Sequence, residues 1–355
     1  MKKNKKIIND TLLYTLISIF LGLLVGAVVL AASGFSPIDG YAEMIKGIFG
    51  KPKYLAWTVV KSTPLILTGL SVAFAFRTGL FNIGAEGQFI VGALTATLVG
   101  YFVHVPAIIH IPLTLLSGCL AGAIWGGIAG ILKSKFGVNE VISTIMLNWI
   151  AFYLSNYFIM MDGFKKPGTE ASFNIQDTAT IDIKWLKSLV GPATKVNWGI
   201  VIALILVVII SYLLYKTVLG FELRAVGFNK YAAEYAGINV NKSMVISMAI
   251  AGLLAGSAGA MHVMGVSHKI TILAAQEGFG FDGIAVALIG NNTPIGAILG
   301  GFLFGALKYG GGKMQNIGAP TEVINIVIGS IIYFIAASRM VKIIIDKMRG
   351  GKADV

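Results

Sequence analysis

The chain has 355 residues, of which 56% are hydrophobic and only 12% charged, with 44 glycines and a formal net charge of +12. A soluble domain carries about 25% charged residues; here hydrophobic stretches of 18 or more residues recur, which excludes an ordinary soluble domain and points to repeated membrane crossings. No strand-like alternation suggests a barrel, and one cysteine, Cys119, with four scattered histidines builds neither a disulfide framework nor a metal chelate.

The expected fold is all-α and polytopic. Backbone polar groups in hydrocarbon must be satisfied within their own segment, so runs this apolar must be helices. Ten spans are expected near 11–32, 56–76, 82–102, 107–132, 139–160, 197–216, 243–264, 277–291, 293–310 and 320–338. The first follows Lys2, Lys3, Lys5 and Lys6 and is longer than the core of a secretory signal, so it is expected to remain as a span. With the N-terminus inside, more than half of the 28 lysines and arginines fall in inward-facing segments, so both termini are expected in the cytoplasm. The same bias accounts for the basic charge without a nucleic-acid partner.

Between the first two spans, Tyr41–Phe49 has apolar spacing that suits a short interfacial helix as well as it suits a plain loop. Next, Arg77–Gln88 brings Phe81, Asn82, Glu86 and Gln88 among glycines at the start of a span. Two readings stand: these groups line a solute path, or Glu86 sits at headgroup level and caps its helix. Arg77 is the expected partner of Glu86. Gly122, Gly126 and Gly130 form a small-residue stripe for helix contact. Asn148 lies inside the fifth span, facing either the path or a neighbouring helix. Residues 162–196 are the longest polar stretch and are expected outside.

The loop 220–242 reads GFELRAVGFNKYAAEYAGINVNK. Asn229 is a good N-cap and Gly237 a left-handed terminator, so Lys230–Ala236 is expected as a two-turn helix at the membrane surface. Small residues such as Gly227, Ala233, Ala236 and Gly237 leave contours that a partner could grip, though an ordinary basic loop has a similar composition. Further on, Gly280, Phe281, Asp282 and Gly283, then Asn291 and Asn292, bracket a span too short for a full crossing, a pointer to a transporter's central site.

Three stretches carry a resemblance: Glu222–Gly227 with Ala236–Ile238, Arg77–Gln88, and Asn139–Thr144. They resemble the permease subunits of bacterial ABC importers of the ribose and branched-chain amino-acid type, the nucleoside branch above all. The resemblance covers nearly the whole chain. It implies one transmembrane permease domain, 1–355, in the bacterial plasma membrane. It also implies a separate ATPase subunit that holds ATP and Mg, so no cofactor is expected on this chain. A second permease, different from this one, and an external solute-binding lipoprotein complete the implied assembly. The loop would dock on the ATPase through Glu222, Arg224, Gly227, Asn229, Ala233, Ala236 and Gly237. For a nucleoside, rings stack and amides read base and ribose edges, which makes Phe81, Asn82, Phe281 and Asn292 the candidate contacts, with Glu86, Gln88, Asn148 and Asp282 along the path.

An internal repeat fits this architecture. Gly84–Gly87 matches Gly280–Gly283, Gly122 and Gly126 match Gly301 and Gly305, and Glu140–Ile142 matches Glu322–Ile324, in the same order. This suggests that spans two to five and seven to ten form an inverted repeat. No GxxxxGK[ST] phosphate loop occurs, and no catalytic dyad stands out. The alternatives are a permease for a sugar, riboflavin or amino acid, and an ion-coupled secondary carrier.

Overall fold

The computed structural model describes residues 2–338 together with residues 340 and 343, with side chains from Leu16 onward. Arg339, Lys342, Lys347, Arg349 and Lys352, and the side chains of the N-terminal lysines, all used in the charge balance above, lie outside the described set. Fourteen α-helices follow one another: α1 Lys2–Ala32, α2 Pro37–Phe49, α3 Pro52–Arg77, α4 Ala85–Phe102, α5 Ala107–Phe136, α6 Glu140–Ile159 and α7 Lys184–Val190, then α8 Gly199–Lys216, α9 Val218–Phe228, α10 Lys230–Tyr235, α11 Val240–His262, α12 Phe279–Ile289, α13 Pro294–Gly311 and α14 Thr321–Ala336. Among the described residues no strand forms, only the isolated bridges Lys165–Ser172, Ala171–Thr271 and Asp182–Asn197. Among the described residues six helices are long and apolar enough to cross a membrane: α3, α5, α6, α8, α11 with its π-turn to Ser267, and α13 with its 3-10 extension to Ile317.

The chain divides into two compact units. The first comprises residues 1–58 and 306–355. In it α1 and α14 pack closely, because Gly22 lets the Ile331 backbone approach and Gly26 admits Val327. Helix α2 starts at Ser36, whose Oγ accepts from the Asp39 N–H at 3.3 Å. Its Tyr41 hydroxyl donates to the Leu23 carbonyl at 2.6 Å. Burial pushes that phenol up to about 12, so it remains a donor at any physiological pH. Of the two readings of this segment the structure has the helix, which is longer than Tyr41–Phe49.

The second unit, residues 59–305, is built around α4. That helix is buried on nearly every side from Ala85 to Thr97, as expected of one that is apolar all round. Helices α5 and α11 pack on it and on each other at backbone distance. A Cβ at Gly122 would run into the Gly252 carbonyl, and one at Gly92 into the Gly256 backbone. Without side chains in the way, dispersion contacts and close carbonyl approach replace the hydrophobic drive that is missing in lipid. Elsewhere in this unit Gly301 seats on Ile66 and Gly305 on Ser62, so α13 is held against α3 in the same manner.

Three boundaries differ from the sequence-based expectation. Helix α4 starts at Ala85, not near 82, because Gly79 takes a left-handed φ of 75° and Asn82 is drawn into side-chain bonds. The start of the loop 220–242 is helical: α9 runs from Val218, with the Thr217 Oγ1 accepting from the Gly220 N–H at 3.1 Å. The long connection after α6 is also ordered locally, with a 3-10 turn at Asp177–Ala179 and helix α7.

Candidate functional site

The irregular segment 78–84 and the start of α4 form a closed polar nest inside the second unit. Asn82 and Gln88 exchange amide hydrogen bonds: Asn82 Nδ2 donates to Gln88 Oε1 at 2.9 Å, and Gln88 Nε2 donates back to Asn82 Oδ1 at 3.1 Å. Asn82 Nδ2 also reaches Ser71 Oγ at 3.1 Å, and that hydroxyl donates to the Ala251 carbonyl at 2.6 Å. One nest thus ties α3, α4 and α11 together. Asn148 satisfies the backbone beside it: its Oδ1 accepts from the Gly87 N–H at 2.8 Å and its Nδ2 donates to the Ile83 carbonyl at 3.1 Å. Of the two readings for Asn148, the structure has it bonding across helices. Asn148→Ala should strand that N–H and carbonyl and cost about 2 kcal/mol; a melting curve unchanged from wild type in detergent would refute the assignment.

Glu86 is fully buried, and it neither pairs with Arg77 nor caps its own helix. Its two carboxylate oxygens accept from the Gly278 and Gly280 N–H groups, each at 2.6 Å, so it caps the N-terminus of α12. An anion there meets unsatisfied N–H groups and the positive end of the helix dipole. Gly280 is required for the approach, since a Cβ there would collide with the Glu86 backbone. Arg77 Nε instead donates to the Asn292 carbonyl at 2.7 Å, at the far end of α12. There Asn291 and Asn292 adopt left-handed φ values of 53° and 51°, a conformation asparagine tolerates better than most residues.

Helix α12 has 11 residues, about 16 Å of rise and roughly half of a hydrocarbon core. The stretch before it, 268–278, is non-helical and is held at both of its backbone faces. Asn156 donates to the Leu273 carbonyl at 3.0 Å and accepts from the Leu273 N–H at 2.8 Å. At its start His268 takes a left-handed φ of 58° and its Nε2 lies 3.7 Å from Asp182 Oδ2, which also pairs with Lys187. Burial lowers the His268 pKa, with the Asp182 carboxylate opposing that shift.

Beside this stretch lies a partly open cavity with about 550 Å³ of empty space. Phe89, His262, Ser155, Lys269, Leu273 and Glu277 are among its walls. Phe89 and Phe279 stack at 5.0 Å, and the His262 ring lies 5.1 Å from Phe279. None of these aromatic groups was singled out in the sequence. Their signal was faint, since a phenylalanine within an apolar run reads as packing and a lone histidine as scatter. Of the aromatic candidates that were chosen, Phe81 packs at 5.1 Å on Phe76 and Phe281 is exposed. Asp282 lies on the first turn of α12, half-buried.

In the loop 220–242, Asn229 Oδ1 accepts from the N–H groups of Tyr231 and Ala232, and Gly237 ends the turn at φ 85°. Helix α10 therefore forms as expected, ending at Tyr235. A Cβ on Gly227 would meet the Arg77 carbonyl, although the residue itself is exposed, and Ala233 is buried. Arg224 Nε donates to the Gly220 carbonyl at 3.2 Å and its guanidinium lies over the Tyr215 ring, while Glu222 is half-buried on the same helix. Ala236 and Gly237 are exposed. The groups standing out furthest are Phe228, Tyr231 and Tyr235, at 88%, 70% and 97% exposure.

A multi-pass helical protein with a half-length helix, a non-helical stretch pinned by side-chain hydrogen bonds before it and a helical surface hook has the build of a membrane transport protein. The chain belongs to the family of branched-chain amino acid transport system permease components, whose profile matches residues 54–336. It is 45% identical to the guanosine ABC transporter permease protein NupP of Bacillus subtilis, over 95% of this chain and 97% of that protein. It is 37% identical to the nucleoside ABC transporter permease protein NupB of Lactococcus lactis, over 96% and 95%. The glucose ABC transporter permease protein TsgB13 of Haloferax volcanii is 33% identical over 92% and 87%. No solved structure matches.

Proposed function

We propose that this chain is one permease of an ATP-driven importer for nucleosides. The observation that carries the reading is the 45% identity to a guanosine permease, spread over nearly all of both chains. ATP and Mg are held by a separate ATPase, and a second, different permease and an extracytoplasmic binding lipoprotein complete the assembly. Both termini face the cytoplasm, and so does the loop 220–242, whose exposed aromatic residues suit a docking contact. Ten helices, α1, α3–α6, α8 and α11–α14, take part in the membrane bundle.

Packing supports the inverted repeat of α3–α6 with α11–α14. The matched motifs meet each other, since Gly280 abuts Glu86. The matched glycines then make exchanged contacts: Gly122 and Gly126 of α5 lie on α11, while Gly301 and Gly305 of α13 lie on α3. A two-fold axis in the membrane plane generates one contact from the other. The aromatic cavity near Phe89 and Phe279 suits a planar base better than the closed nest of Asn82 and Gln88, whose amides are spent on each other.

The test is uptake of labelled guanosine by the assembled transporter in vesicles, with ATP inside. Saturable, ATP-dependent uptake that adenosine suppresses and glucose does not is expected. Suppression by glucose alone would favour a sugar permease, a reading that the 33% identity to a glucose permease keeps in view. Uphill uptake by this chain alone on an ion gradient would sink the ATP-driven reading.

A further inference from the structure

The first unit carries a basic cavity that the transport reading does not use. It has about 480 Å³ of empty space and lies where the end of α2, the start of α3 and the 3-10 turn Gly312–Ile317 meet. Lys46, Lys51 and Lys313 line it, together with Tyr54, Asn316 and Glu43. Glu43 is occupied within the cluster, accepting from Asn316 Nδ2 at 2.8 Å and from Lys46 Nζ at 3.1 Å. That surface pair is weak, because Lys46 is 70% exposed. Lys51 and Lys313 enter no ion pair among the described residues. The cluster therefore has more positive than negative groups, and the N-terminal end of the 26-residue helix α3 adds its dipole.

Lys313 is built into place. Its ammonium sits 5.1 Å from the Tyr54 ring centroid and 5.5 Å from that of Tyr309. Gly47 clears the space for its stem, since a Cβ there would meet Lys313 Cγ at 2.5 Å. Trp57 stacks on the other partner ring, Tyr309, at 6.2 Å and 12°. Rings of tryptophan and tyrosine gather at headgroup depth. Helix α2 agrees with that depth: Ile38, Ile45 and Phe49 project from it, at 81%, 56% and 69% exposure, as on a helix lying in the interface.

The geometry points to a site for the phosphodiester headgroup of an anionic phospholipid, with Lys51 and Lys313 on the phosphate and the apolar side of α2 beside the acyl chains. Lysines gathered at headgroup level attract anionic lipid headgroups within about a Debye length. Lys46 provides a mobile third charge, and Tyr54 a hydroxyl for the glycerol or phosphate oxygens. A free phosphate would satisfy the lysines but would gain nothing from Ile45 and Phe49.

Native mass spectrometry of the full-length chain in detergent tests this with phosphatidylglycerol, phosphatidylcholine and inorganic phosphate as separate probes. Phosphatidylglycerol should be retained at least tenfold better than phosphatidylcholine. The double variant Lys51→Gln, Lys313→Gln should weaken that retention about 30-fold, roughly fivefold per lysine. Lys51→Arg with Lys313→Arg should keep it. Should the double variant misfold, Lys51→Glu, at an exposed position, should still cost at least fivefold. Equal retention of both lipids, or unchanged phosphatidylglycerol binding in Lys51→Glu, would overturn the site. Inorganic phosphate binding as tightly as phosphatidylglycerol would overturn its assignment to a lipid.

Discussion

Glu86→Ala should abolish uptake and destabilise the protein more than any other single change at the polar junction. The substitution strands the N–H groups of Gly278 and Gly280, both now bonded to the carboxylate at 2.6 Å. Each buried N–H left without a partner costs about 1–3 kcal/mol, so the loss is about 2–6 kcal/mol, a large share of a total stability of about 5–15 kcal/mol. Glu86→Gln keeps one acceptor oxygen and should fall between alanine and wild type. Thermal melting of the detergent-solubilised chain and uptake by the assembled transporter measure the two effects. Wild-type melting of Glu86→Ala would mean that the α4–α12 junction does not hold the half-length helix in place.

Tyr235→Ala should give the opposite pattern, with melting unchanged and function lost. Its side chain is 97% exposed, so nothing in the chain itself depends on it. Tyrosines at the centre of an interface commonly cost about 2 kcal/mol or more when truncated, which corresponds to roughly 30-fold in affinity. In the proposed assembly, with this loop docked on the ATPase, the expected readout is a fall of that order in the affinity of the ATPase subunit for the permease, with loss of the ATPase stimulation caused by loaded binding protein. Tyr231→Ala, on the same short helix, should act in the same direction. Normal stimulation in the double variant would show that force enters elsewhere.

Much of this was legible in the sequence because membrane helices announce themselves by length. Each of the ten expected segments coincides with a helix, and six of those helices are long and apolar enough to cross a membrane among the described residues; the N-cap at Asn229 and the stop at Gly237 follow from local chemistry alone. Partner choice was not legible. Arg77 and Glu86 are near in sequence and opposite in charge, yet each is satisfied by backbone from around α12, some two hundred residues on. A chain pattern carries no signal for a carboxylate that caps another segment's helix. Nor does the sequence divide the small residues of the loop: Ala233 is buried and a Cβ on Gly227 would meet the Arg77 carbonyl, while Ala236 and Gly237 are exposed beside the aromatic groups. The ring cluster of Phe89, His262 and Phe279 assembles from two distant stretches of chain, and only the fold brings them together.

The exchanged glycine contacts have a consequence for how the protein is made. Helix α5 finds its flat partner on α11, and α13 finds its own on α3. Under the proposed repeat, each of these glycine-faced helices therefore completes its packing on a helix of the other copy. A ribosome releasing the first copy into the bilayer has made something that must wait, with bare glycine surfaces facing lipid, until the second arrives. On that reading the glycine-faced seams close late, and separated halves would have to be produced side by side to close them.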